Sequence, residues 1–281
     1  MTIPGVIDFH VHVGDFDRMR DDIKNLLEGT ASRRDFDMKA LFSDPRGLAA
    51  YLRNAGVVRT VLVADEGPGV NFVPTTDFIC DFWEAAGEDK DFFIPFGNVN
   101  PNRTPDVIAK YESDLKRGIK GYKLYPADHD FHPITPELME FYRRLEADGL
   151  ILMFHTGTTG QDDGVDEYGD PKIFQPILDE CPDLTVVFCH AGKPIWTGEA
   201  TEMARTYPNL YLDTAFIKPE KLLVYLPELA EISHKVLFGS DWPVGVSSLS
   251  AHLKEIRNLG LPEEAVENLL YRNAARLLGI A

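Results

Sequence analysis

Four of the eight histidines in the chain sit where short apolar runs end. His10 and His12 close the first such run in Asp8-Phe-His-Val-His12, His155 ends the fifth, and His190 ends the sixth. Asp241 follows the eighth in Leu-Phe-Gly-Ser-Asp241-Trp-Pro, and Lys123 lies near the end of the fourth. Strand residues two apart point to one face, so the His10-x-His12 spacing lets both imidazoles approach a single ion. With His155 and Asp241 they form a set of three nitrogens and one oxygen, suited to Zn²⁺ and related divalent cations. A further coordination position is left for water, as catalytic sites require. Each piece alone is weak, because strands carry HxH pairs for packing and a strand-end histidine is more often hydrogen-bonded structure than a ligand. The joint placement of all five groups carries the reading. His129, His132, His234 and His252 fall in loops or helical stretches and read as surface residues.

The elements that must position these groups follow a regular rhythm. Eight runs rich in β-branched and aromatic residues span 3–9, 57–64, 92–99, 119–124, 150–155, 184–189, 209–213 and 235–238, with helix-patterned stretches between them. The runs are nearly continuous in apolar character, as in a parallel sheet buried on both faces. Helix starts are signalled by Thr104-Pro-Asp, Thr135-Pro-Glu and Leu261-Pro-Glu-Glu, and Gly56 supplies a helix stop after Arg46–Ala55. Eight strands each followed by a helix predict a distorted (β/α)8 TIM barrel, α/β in class, with residues 1–281 as a single domain. A doubly wound open sheet would alternate in the same way, but a barrel alone brings all eight strand ends to one rim, where active sites are built.

Composition narrows the functional class. The 281 residues are 44% hydrophobic and 26% charged, and 28 Lys+Arg against 45 Asp+Glu give a net charge of -17. That balance argues against nucleic acid, whose phosphates need clustered cations. No apolar run reaches the roughly 18 residues of a membrane span. The start lacks a basic n-region and a small-residue cleavage site, and three scattered cysteines suggest neither a disulfide framework nor a CxxC site. A cytoplasmic enzyme acting on a small-molecule substrate is expected, with homo-oligomerisation left open.

Together, Asp8-x-His10-x-His12, His155-Thr-Gly, His190-Ala-Gly and Gly239-Ser-Asp241-Trp-Pro resemble the amidohydrolase superfamily, in particular its amidohydrolase-related branch. Supporting segments are Ala55-Gly-Val, Gly121-Tyr-Lys-Leu-Tyr-Pro126, Pro208-Asn-Leu-Tyr-Leu-Asp213 and Asn273-Ala-Ala-Arg-Leu-Leu-Gly279. The resemblance implies one divalent metal, Zn²⁺ as first choice, with His10, His12, His155 and Asp241 at the ligand positions. His190 matches a histidine that is either a non-ligand or a ligand of a second ion. The branch holds hydrolases, hydratases and non-oxidative decarboxylases, so the fold does not select the reaction.

The mechanism expected is metal-dependent hydrolysis of an ester, lactone or amide. Asp241 would accept and return the water proton, and His190 would orient the water or donate to an oxyanion. Decarboxylation of an aromatic or unsaturated acid is the alternative, and it requires an Arg or Lys aimed into the cavity. A non-catalytic protein with a closed structural metal is the third reading. Lys123 either stays an ammonium that pairs with Asp241 or grips a substrate carboxylate, or is carboxylated and bridges two ions. Trp242 is expected beside the substrate and Trp196 in packing. The first connection, Gly14 to Asp44, offers Arg18, Arg20, Arg33 and Arg34 as lid or specificity residues, and residues 157–164 form a polar loop after His155.

Overall fold

The computed structural model describes residues 3–19, 21, 24–25, 31–67, 74–160 and 164–280. Arg20 and residues 161–163 therefore lie outside the described residues. Eight parallel strands run in sequence order: β1 Val6–Val11, β2 Val57–Val63, β3 Phe93–Gly97, β4 Gly121–Leu124, β5 Ile151–His155, β6 Val186–Cys189, β7 Leu210–Asp213 and β8 Val236–Leu237. Backbone bonds from Phe9 N to Phe238 O (2.8 Å) and from Asp241 N to His10 O (2.9 Å) return the last strand to the first. This is the expected (β/α)8 barrel. Among the described residues, no helix is long and apolar enough to cross a membrane.

Period-two alternation builds two apolar layers. Ile151, Met153, Val187 and Cys189 fill the barrel interior, while their neighbours Leu152, Phe154, Val186 and Phe188 pack under the helices. His155 continues the inward series of β5 at its C-terminal end. In β1 the same alternation would carry inward-facing Ile7 and Phe9 on to Val11. Instead Asp8 pairs with Thr60 and Val11 with Leu62, three steps against two, so one extra residue is accommodated. Val11 joins the outer layer and His12 turns to the cavity. Such a bulge re-aims side chains beside a site.

The helices form where capping chemistry allows. α1 Met38–Ser43 and α2 Pro45–Asn54 are capped by Asp37 and Asp44. Gly56 follows the end of α2 at φ +95°, the left-handed conformation expected of a terminating glycine. α3 Thr76–Ala85 is capped by Thr75, and α4 Val107–Arg117 by Asp106. The expected Thr104 cap is thus displaced by two residues, because the Asp106 carboxylate captures Ala109 N at 2.8 Å. α5 Pro136–Ala147 is capped by Thr135 as expected. α6 Gln175–Glu180, α7 Thr197–Thr206, α8 Pro219–Tyr225, α9 Leu249–Arg257, α10 Glu263–Glu267 and α11 Asn273–Leu277 follow. Ala274 and Ala275 of α11 plug the lower end of the barrel.

Candidate active site

His10 and His12 of the Asp8-x-His10-x-His12 run face the end of β8. Gly239 is required there, since a Cβ on it would lie 2.8 Å from His10 Cβ. Asp8 Oδ1 accepts from Ser240 N at 2.9 Å and so pins the segment that carries Asp241. Asp241 (φ +62°) and His190 (φ +62°) both adopt the left-handed region, which costs energy for any residue but glycine and is entered more readily by Asp and His. Asp130, Ala191 and Phe216 share this region, so the strain includes the two residues expected to do chemistry without being confined to them.

Three atoms converge. His10 Nε2 lies 3.2 Å from His12 Nε2 and 3.2 Å from Asp241 Oδ1, and His12 Nε2 lies 3.1 Å from Asp241 Oδ1. Behind them, Asp213 Oδ2 accepts from His10 Nδ1 at 2.8 Å. Burial opposes the ionisation of Asp213, but the His10 imidazole and further partners hold its carboxyl below the usual carboxylate range. An ionised carboxylate only accepts, which assigns the His10 proton to Nδ1 and leaves Nε2 as a lone pair. Burial, reinforced by Lys123, keeps His10 below its ordinary pKa. Asp241 is held below the carboxylate range as well, its burial outweighed by His10 and His12. Two acceptors, His10 Nε2 and Asp241 Oδ1, therefore face each other at hydrogen-bond distance. A cation between them removes the conflict, and ligand atoms about 2.0–2.2 Å from one ion span edges of this size. The residues fit a divalent metal.

His155 stands apart from this trio. Among the described residues its buried Nε2 has no hydrogen-bond partner, and its Nδ1 lies 3.6 Å from Asp128 Oδ2. Its ring is 4.7 Å from that of His190, and both line one cavity with His12, Lys123 and Asp241. His190 Nδ1 donates to Ala215 O at 2.9 Å, and its main-chain N donates to Asp213 Oδ1 at 2.7 Å. Burial and the neighbouring His155 keep His190 well below its ordinary pKa. A neutral His190 with its proton on Nδ1 presents an Nε2 acceptor. In that form the ring orients a water by accepting from it, the first of the two roles expected of His190.

Lys123 is fully buried on β4, its Nζ 3.5 Å from His10 Nε2 and 4.2 Å from the centre of the Tyr125 ring. Lys193, from the loop after β6, is the second cation of the cavity, with Nζ 4.2 Å from the centre of the Phe216 ring. Arg18 and Arg33 are exposed, Arg34 packs over Phe36, and none of the three lines the cavity. Trp242 is a further correction. It is fully buried against Phe36, Phe42 and Tyr51, with ring centres 5.0–6.0 Å apart, because the residue after inward-facing Asp241 turns outward. It braces the first connection and does not touch the cavity. His129 is not a surface residue either: it is 2% exposed, with Nε2 2.8 Å from Asp65 Oδ1. His252 is half-buried, whereas His132 and His234 are exposed as expected.

Asp213, Asp65 and Asp128 escaped the sequence reading. Asp213 ends β7 just as His155 ends β5, a positional signal that was available; the other two lie in loops. A second potential cluster of His10, Cys189 and Asp213 is a poor cation site, since His10 and Asp213 already bond to each other. Burial also pushes the Cys189 thiol well up, away from the thiolate that metals require.

Comparison with known proteins agrees with this architecture. An uncharacterised TIM-barrel protein from Bordetella bronchiseptica superposes with TM-score 0.78 at 22% identity, covering 98% of both chains. A 5-carboxyvanillate decarboxylase from Sphingomonas paucimobilis gives TM-score 0.66 at 18% identity, covering 99% of this chain and 100% of that one. A putative 2-pyrone-4,6-dicarboxylic acid hydrolase from Pseudomonas putida gives 0.64 at 17%, covering 99% of each. No curated protein matches the sequence. Residues 7–280, nearly the whole chain, match the amidohydrolase family profile, and the chain belongs to that family.

Proposed function

We propose that the protein is a metal-dependent hydrolase of small carboxylate-bearing molecules, attacking an ester, lactone or amide carbonyl. The observation that carries this reading is the convergence of His10 Nε2, His12 Nε2 and Asp241 Oδ1 on one point of a cavity that His190, Lys123 and Lys193 also line. His10, His12 and Asp241 would hold the ion, with His155 lining the same cavity. Bound there, a divalent cation supplies Lewis acidity toward a carbonyl oxygen and acidifies water toward neutral pH, and Zn²⁺ suits the donor set. His190 Nε2 accepts a hydrogen bond from the attacking water and aims it. Asp241 takes the proton that this water gives up as it attacks and passes it to the leaving group. Lys123 and Lys193 hold the substrate carboxylate, with Lys123 as an unmodified ammonium. The cavity of about 230 Å³ opens onto these groups, which disfavours a closed structural metal site.

The second reading is decarboxylation of such an acid. The two lysines favour it, because a carboxylate that leaves as carbon dioxide must first be held by a cation. The family neighbours include enzymes named for each chemistry. One substrate panel on the zinc-loaded protein separates them: acid release from lactones, esters and amides supports hydrolysis. Carbon dioxide release alone would establish the second reading, and neither product would refute both.

A further inference from the structure

The cavity is bipolar. Lys123 and Lys193 supply its cations, whereas Asp65 and Asp128 supply carboxylates in addition to Asp241. Asp65 follows β2 and its side chain is 19% exposed. One of its oxygens, Oδ1, is taken by His129 Nε2 at 2.8 Å; among the described residues, Oδ2 has no hydrogen-bond partner. His129 is itself fixed. Its ring packs tilted against Tyr125 at 5.0 Å and 37°, Tyr125 donates to Ala64 O at 3.1 Å, and Asn102 Nδ2 donates to His129 O at 2.9 Å. A buried imidazole is thus spent on orienting one carboxylate of the cavity wall, with one of its oxygens still unused. A loop tie alone would need no ionisable partner at the cavity wall.

We propose that Asp65, positioned by His129, reads a hydrogen-bond donor on the substrate, so that the ligands taken are small carboxylates bearing an ammonium or hydroxyl group. The inference deepens the proposed function and rests on its placement of a carboxylate substrate in this cavity. A cavity of about 150 Å³ admits benzene, so about 230 Å³ accommodates a single ring with two short substituents. The lysines take the carboxylate and Asp65 takes the donor.

Calorimetric titration of the zinc-loaded and metal-free protein tests this without turnover. The probes are 3- and 4-ethylbenzoate, hydroxymethylbenzoate and aminomethylbenzoate, which match in shape and differ in the donor. In at least one position, the aminomethyl ligand binds roughly tenfold or more tighter than the ethyl ligand, with hydroxymethyl between. In Asp65→Asn, the amide oxygen stays with His129 Nε2–H and the NH₂ turns to the cavity, donor against donor. The aminomethyl preference then disappears while ethylbenzoate affinity holds within about twofold. His129→Phe, checked for folding by thermal melting, loses most of the preference without weakening ethylbenzoate. Equal affinities across the matched set, no measurable binding, or an equal loss for all three ligands in Asp65→Asn would overturn the proposal. Failure of the activity panel would leave this ligand preference intact, so the two results are separable.

Discussion

Two buried lysines at opposite ends of the barrel are treated very differently. Lys235, at the lower end, donates to Tyr207 O, Pro208 O and Leu210 O at 2.9, 2.7 and 3.1 Å, so all three of its protons are used. Close by, Asn273 Nδ2 donates to Ser233 O and Val236 O at 2.7 and 2.8 Å. Lys123, at the upper end, faces an imidazole nitrogen at 3.5 Å and an aromatic ring. Its neighbours are a His155 Nε2 that has no hydrogen-bond partner among the described residues and a pair of facing acceptors on His10 and Asp241. The lysine buried for stability is saturated, whereas the one buried at the cavity keeps unused capacity. The difference separates a brace from a site within one fold.

That contrast can be broken at several points. The largest effect is expected for His10→Ala or Asp241→Asn, which should abolish metal retention, read as metal per chain, and lower turnover by about 10³-fold or more. His190→Asn should keep the metal while turnover falls roughly 10²–10⁴-fold; metal loss in that variant would make His190 a ligand. The lysines then give opposite outcomes. Lys123→Met should cost activity at least ~100-fold yet leave unfolding free energy within about 1 kcal/mol, since a poorly paired buried charge is replaced by an apolar chain. Lys235→Met should leave the activity of the folded enzyme unchanged but destabilise it by about 2–4 kcal/mol, because buried carbonyls lose their donor. Equal stability losses in denaturant titrations would erase the distinction.

The smallest effect is a pH dependence at a histidine that does not line the cavity. Burial lowers the pKa of His252 from 6.5 to about 4. Between those values the unfolded chain binds the proton and the folded chain does not, so stability falls as pH drops through this window. Melting from pH 7 to pH 4.5 should show a shallower decline in His252→Gln than in the wild type.

The architecture was legible because apolar runs and cap residues are local signals: all eight strands lie where the runs end, within a few residues. The site was legible in its ligand-type residues for the same reason, as His10, His12, His155, His190 and Asp241 sit at strand ends. The β1 bulge was not, since alternation alone cannot tell which neighbour absorbs an extra residue. Asp65 and Asp128 are ordinary among 45 acidic residues until tertiary structure sets them beside His129 and His155. Trp242 and His129 were misassigned in opposite senses. An aromatic next to a candidate ligand need not share its face, and a loop histidine need not be at the surface.

Anomalous diffraction at the zinc edge, on crystals grown from zinc-loaded protein, tests the central claim most directly. A single peak within bonding distance of His10 Nε2, His12 Nε2 and Asp241 Oδ1 is predicted. A peak elsewhere, or none, would contradict the account.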